Sequence, residues 1–309
     1  MVLVYIENRE FLSKIITYLE KSEILFTTDF EVDYDTILVA ELNNRTIKLI
    51  KNNYLMKKKI IFLTYLEESK ILYNYHLNSK LSIEYRSRLY SFLNMCDLII
   101  VSLPYFKEML NKKIKRNIMV IEREVEILNL KKDTNMYIRY NLSKRRGKVL
   151  YLDSKYEMLA DFFQIALANP KVDFIMLGFV PDYYLNGYKK HLLMNIPSNI
   201  KSIKYYNDNI LSELIKIVST VIYTDKIVDM NVIYKVLFLK KNLIVRESPI
   251  YNNYLMDNKN IYLFDKKNLV KKVCKLLNGD IANLTLAGYD VVKNNRFNNI
   301  VTKINNISL

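Results

Sequence analysis

The feature that most constrains this chain is a series of short, almost wholly apolar runs, VLVYI, TILVA, IIFL, LIIV, NIMVI, VLYL, DFIML, TVIY and LIV, separated by segments whose apolar residues recur at helical spacing. Runs this short, without polar alternation, read as strands buried on both faces. Such strands belong in parallel sheets, and parallel neighbours need a crossover of about a dozen residues or more, which the helical segments supply. The expected fold class is α/β.

Two series can be traced. The first has strands at 1–6, 36–40, 60–64, 98–102 and 117–121 and helices at 9–20, 44–55, 84–95 and 105–114. After a charge-rich passage at 123–146, the second has strands starting at VLYL and at 173–178, 200–205, 220–223 and 243–246, with helices at 155–167, 184–193, 209–218, 230–240 and 266–277. Each series is Rossmann-like. The 309 residues suit two domains, expected at 1–145 and 146–309, with one further helix in 280–309 that packs on either half, the first included.

Composition excludes several classes. Cys96 and Cys274 stand far apart, His76 and His191 are equally isolated, and no ligand cluster forms, so no metal is expected. No run approaches 18 apolar residues and no leader pattern opens the chain, which points to the cytoplasm. The 25 Tyr and the many Asn and Lys reflect a compositional bias and are discounted individually as signals.

Charge is more informative. The formal net charge is +15, and residues 51–150 hold 21 Lys or Arg against nine Asp or Glu. That third of the chain expects an anionic partner. Its helical segments carry Arg86 and Arg88, then Lys112, Lys113, Lys115 and Arg116. Two readings stand: a solvated lysine-rich face over an aromatic core, or a surface that meets anionic lipid headgroups on the inner face of a membrane. Nucleic acid is not expected as a partner, because no recognition module accompanies the charge.

In open parallel sheets ligands meet the carboxyl ends of strands. That rule singles out Arg246 and Glu247, where LIV runs out just before Pro249. Gly178 follows DFIML and permits either close approach of a ligand or a tight turn. Asp225 and Asp229 follow TVIY, where a helix N-cap competes with ligand contact. Lys155 and Lys235 lie in the same candidate region, as cleft cations or as solvated lysines.

The order FIMLG, a loop with Asp182 and Gly187, a Tyr-Lys helix, PSNI, ILSELIKIV and TVIYT, followed by RESPIY and Tyr262, resembles the donor half of bacterial diacylglycerol glucosyl- and galactosyltransferases of retaining family 4. KKKIIFLTY and DLIIVSLPYFKEML extend the resemblance thinly through the first half. It implies the GT-B layout, two Rossmann-like domains facing across a cleft. It also implies transfer of a hexose from a nucleotide sugar, UDP-glucose or UDP-galactose, to a membrane glycolipid or related acceptor, with no other cofactor. Several family positions have changed chemistry here. The two donor-binding glutamates, eight residues apart, fall on Ile227 and Lys235, leaving Asp225 or Asp229 to accept sugar hydroxyls. The diphosphate-binding Arg and Lys fall on Tyr156 and Glu157, beside Lys155. The acceptor-side histidine falls on Thr64, and MVLVYIENREFL lacks the family's glycine loop. Three classes therefore remain: a membrane-associated transferase with a reorganised donor site, a noncatalytic relative that binds a protein partner or an acidic surface, and a regulator that binds nucleotide with one half.

Overall fold

The computed structural model describes all residues except 56, 64, 76–78, 122–134, 154–155, 179–185, 204–206, 226–228, 252–254, 266 and 294–309. The described residues fall into two compact units, one within Met1–Glu124 and one within Val125–Asn294. The second unit thus begins upstream of the division expected near 145 and takes in the short helix before it.

The first unit runs β1 (Val2–Tyr5), α1 (Arg9–Lys21), β2 (Phe26–Thr27), β3 (Thr36–Val39), α2 (Asn44–Asn52), β4 (Lys58–Phe62), α3 (Tyr65–Tyr75), α4 (Lys80–Leu93), β5 (Leu98–Val101), α5 (Pro104–Asn111) and β6 (Asn117–Val120). Its sheet is parallel in the order β2-β1-β3-β4-β5-β6. Register sets Val4, Leu38, Ile60 and Leu98 side by side across four strands. All four are buried in one core with Phe11 and Ile15 of α1. Each such side chain contributes about 1.5–3 kcal/mol by leaving water.

The second unit runs α6 (Asn135–Arg139), β7 (Lys148–Leu152), α7 (Leu159–Ala168), β8 (Asp173–Leu177), α8 (Gly187–Met194), β9 (Ile200–Ile203), α9 (Asp208–Ile217), β10 (Thr220–Tyr223), α10 (Met230–Phe238), β11 (Asn242–Arg246), β12 (Tyr262–Phe264), α11 (Leu269–Asn278) and α12 (Thr285–Val292). Its parallel sheet has the order β12-β11-β10-β7-β8-β9. Chain direction across the sheet reverses between β7 and β10, which makes that pair the topological switch point. Here Tyr262, Ile244, Ile222, Tyr151 and Met176 form one buried row. Tyr151 stacks on Phe162 of α7 with ring centroids 3.9 Å apart, which fixes that helix over the sheet.

Several boundaries differ from expectation for local reasons. The helix expected from 155 starts at Leu159, because Tyr156 adopts a left-handed backbone with φ of 50° and no helix can pass through it. The helix expected at 84–95 begins earlier, at Lys80, where the Ser79 hydroxyl accepts the Ser82 amide at 3.2 Å. The helices α3 and α6 and the strands β2 and β12 were not anticipated. Asparagine also proves structural. Asn8, Asn43, Asn186 and Asn207 each cap a helix by accepting the amide three residues on.

The helix expected in 280–309 is α12, and it packs on α10 within the second unit. Contact is close enough to require glycine at its middle: a Cβ on Gly288 would lie 2.8 Å from Leu237 Cδ2 and 2.9 Å from the Asn260 carbonyl oxygen. In an exposed helix, glycine to alanine stabilises by about 0.8–1 kcal/mol. Here overpacking reverses the sign. Gly288→Ala should destabilise the chain by about 1–2 kcal/mol, seen as a lower denaturant midpoint, and a raised midpoint would contradict the α10–α12 packing.

Candidate functional site

The carboxyl edge of the second sheet at β7 and β10 is built by backbone closeness rather than by a glycine-rich loop. Thr224 donates from its amide and its hydroxyl to the Leu152 carbonyl, at 3.0 and 3.1 Å, and so ties the exits of the two strands together. Asp153, next along, is buried, and its carboxylate accepts the Tyr151 hydroxyl at 2.6 Å and the Met158 amide at 3.1 Å. Full burial, together with the adjacent Asp153 charge, pushes the Tyr151 phenol well above its usual range, so it stays a donor.

The chain turns at residues 156–158. Tyr156 holds its left-handed backbone while its hydroxyl donates to the Gly178 carbonyl at 2.7 Å. Burial, with Asp153 nearby, raises the Tyr156 phenol also. Gly178 has φ of +149°, and a Cβ there would lie 2.9 Å from the Asp153 carbonyl oxygen and 3.3 Å from the Tyr156 ring. A side chain there would meet the protein's own Asp153 backbone and the Tyr156 ring. A bulky residue at positive φ is uncommon, and such strain clusters at functional edges.

The turn delivers Glu157, whose Oε2 accepts from Arg246 Nη1 at 3.0 Å. Glu157 is therefore neutralised by Arg246 from the end of β11. Glu247 is exposed, and its amide donates to the Phe264 carbonyl at 3.0 Å. Asp229 caps α10, its Oδ1 accepting the Asn231 amide at 2.9 Å. Surrounding protein strips water from this carboxyl and raises it above the usual carboxylate range, although the residue keeps an exposed edge. Amides of Asn231 and Val232 and the Lys235 charge pull the other way. Asp225 is half-buried directly after Thr224.

Lys235 is neither solvated nor turned outward. Only 1% of it is exposed, and its ammonium bonds Asp208 at the start of α9. Lys155, Thr64, His76, Asp182 and Ile227 lie outside the described residues. No group of metal-ligating side chains forms among the described residues.

In the first unit, the position where a glycine loop was missed is filled from within. The Glu41 carboxylate accepts the Glu7 amide at 3.3 Å and the Asn8 amide at 2.8 Å, at the start of α1. An internal carboxylate thus occupies the amides of the two residues that precede α1. The basic third of the chain divides. Arg86 Nη1 is spent on the carbonyls of Asn74 and Tyr75, at 2.5 and 3.2 Å, and buried Lys59 pairs with Asp97 at 2.9 Å. Arg88, Lys112, Lys113, Lys115 and Arg116 are exposed, Arg116 also donating from Nε to the Asn94 carbonyl at 2.7 Å. Among the described residues no helix is long and apolar enough to cross a membrane.

No protein-family model matches the chain, and no curated protein matches it. Solved structures do. Anabaena HepE in complex with UDP and glucose is 13% identical over 94% of this chain and 79% of that one, with a TM-score of 0.67. WaaG, a glycosyltransferase involved in lipopolysaccharide biosynthesis, is 9% identical over 99% of both chains, with a TM-score of 0.63. A Listeria monocytogenes protein named as a UDP-N-acetylglucosamine 2-epimerase is 13% identical over 98% of this chain and 94% of that one, at 0.64. The likeness is one of fold: α/β with two Rossmann-like domains, as in GT-B glycosyltransferases.

Two pairs of substitutions test this geometry by chemical denaturation. Gly178→Ala should cost about 1–3 kcal/mol through its contact with the Asp153 backbone, and Tyr156→Phe about 1–2 kcal/mol through the orphaned Gly178 carbonyl. Asp208→Ala strands the buried Lys235 ammonium and should cost about 2–4 kcal/mol, whereas Lys235→Met, which keeps the stem and removes the charge, should cost much less. Equal losses for the last two would mean that the ammonium is not buried as described.

Proposed function

We propose that the chain is a glycosyltransferase that moves a hexose from a nucleotide sugar to a membrane glycolipid or related acceptor, its donor lying over the carboxyl edge of β7 and β10. The observation that carries this reading is the strained, densely bonded switch point of the second sheet. In this strand order that crevice is where nucleotides bind. It is supported by the GT-B fold and by the UDP and glucose held in the HepE structure. The resemblance to family 4 lipid glycosyltransferases supplies the donor class, UDP-glucose or UDP-galactose, and the acceptor class. On this reading the carboxylates of Asp225 and Asp229, which follow β10, accept the sugar hydroxyls.

The exposed Arg88, Lys112, Lys113, Lys115 and Arg116 suit attachment to an anionic bilayer, which would bring the protein to its lipid acceptor from the cytoplasmic side. A second reading is favoured by a specific observation. Lys235 is committed to Asp208, and Glu41 fills the Glu7 and Asn8 amides just after β1, so two positions that serve the donor in the resembled family serve the fold here. On that reading the protein is an inactive homologue that acts as a partner or as an acidic-surface binder.

The separating experiment is transfer of radiolabelled glucose or galactose from UDP to diacylglycerol and monoglycosyl-diacylglycerol in anionic vesicles. Asp229→Asn keeps a capping side chain at the helix start while removing the carboxylate, so the transferase reading expects normal melting with transfer lowered at least about tenfold, a change of about 1.4 kcal/mol. No transfer by the folded wild type with either donor would leave the inactive homologue as the account. Vesicle sedimentation should show binding to anionic but not neutral lipid, weakened by salt because exposed charges are screened over about 8 Å at physiological ionic strength. Equal binding to both vesicle types would remove the basic face from the argument.

A further inference from the structure

Among the described residues the Arg246 guanidinium donates one hydrogen bond, from Nη1 to Glu157. Its Nε and Nη2 atoms are buried and have no hydrogen-bond partner among the described residues. A guanidinium is planar, and the N–H groups of Nε and Nη2 lie on one edge as a parallel pair. That edge is the geometry with which arginine grips two oxygens of a phosphate or carboxylate. Buried donors in folded proteins are nearly always paired, so an orphan pair on a charged group calls for a missing acceptor.

Position narrows the acceptor. Arg246 ends β11, and Glu157 lies in the turn after β7, with β10 between those strands. Neighbouring strands lie about 4.8 Å apart. An ion pair joining β11 to the β7 turn must therefore pass over the carboxyl end of β10, at the switch point. The side chain of Arg246 is 12% exposed and that of Glu157 25%, so the pair is recessed but reachable.

We propose that the Nε–Nη2 edge of Arg246 seats two oxygens of a phosphate group, with Glu157 as the internal counter-anion that holds the guanidinium in register. Glu157 then has two effects: it orients the fork, and its charge lowers the attraction for an incoming dianion. A neutral side chain of the same shape keeps the first effect and removes the second. This assignment rests on the reading of the β7–β10 edge as a nucleotide site and names the group recognised there.

Calorimetry on the full chain with inorganic pyrophosphate, UDP and uridine tests it, with melting curves recorded for every variant. Wild type should bind pyrophosphate and UDP but not uridine. Arg246→Gln should weaken both phosphate ligands more than tenfold, and Arg246→Lys, which keeps the charge but not the fork, should weaken them by at least severalfold. Glu157→Gln should tighten pyrophosphate severalfold. Unchanged pyrophosphate affinity in a folded Arg246→Lys or Arg246→Gln variant would overturn the proposal, as would absence of pyrophosphate binding by wild type, or weaker binding by Glu157→Gln. The transferase reading fails separately. Sugar transfer that survives Arg246→Gln at the wild-type rate removes the phosphate seat and leaves the transferase. Arg246-dependent pyrophosphate binding without transfer by wild type leaves the seat and removes the transferase.

Discussion

The hydrogen bond from the Tyr156 hydroxyl to the Gly178 carbonyl spans the exits of two adjacent strands and holds a residue where it would not otherwise stay. A tyrosine at φ of 50° relaxes unless its surroundings determine it, and here the ring is buried against a glycine that has no Cβ to push it away. Because that turn is fixed, α7 starts three residues later, Asp153 reaches the Met158 amide, and Glu157 points across the sheet to Arg246. Loosening the bond would free the turn that carries Glu157 and with it the far end of the Arg246 pair.

Charge in both units follows one pattern. Charged groups and backbone amides near the strand exits are answered within the fold: Lys235 by Asp208, Glu157 by Arg246, and the Glu7 and Asn8 amides by Glu41. These pairs differ in consequence. The first two satisfy groups that would be costly to bury alone. Glu41 is only half-buried and competes directly with any external anion for the same amides. Arg246 is the exception, since one edge of its guanidinium is left without an acceptor among the described residues.

The parallel sheets were legible because their strands carry apolar residues on both faces, a pattern that LIIV satisfies at every position and TILV at all but Thr36. Helix α3 was not, because two carboxylates interrupt its apolar pattern: Glu67 and Glu68 are both buried, and Glu68 accepts the Ser102 amide at 2.5 Å. Nothing in YLEESKILYNY announces that a glutamate will bond the exit of a strand 34 residues away. The site divides the same way. Arg246 was visible as the end of a strand, but its partner is 89 residues distant, and Lys235 finds Asp208 across 27. Tyr156 had no signal at all, since a left-handed backbone leaves a trace in sequence when it is glycine or asparagine and none when it is tyrosine.

The asparagine caps bear on how the molecule ages. Asn186 caps α8 and is followed by Gly187, the dipeptide whose side-chain amide is lost most readily in water because the small neighbour lets the backbone nitrogen attack. The ring reopens to isoaspartate or to aspartate, and the aspartate product keeps an oxygen able to accept the Lys189 amide, in a residue type that caps a helix as well as asparagine does. The added negative charge would fall at the end of the helix dipole that favours it. At such a position the aspartate product is nearly silent in stability and shows instead in electrophoretic mobility, as a folded species one unit less positive than its parent.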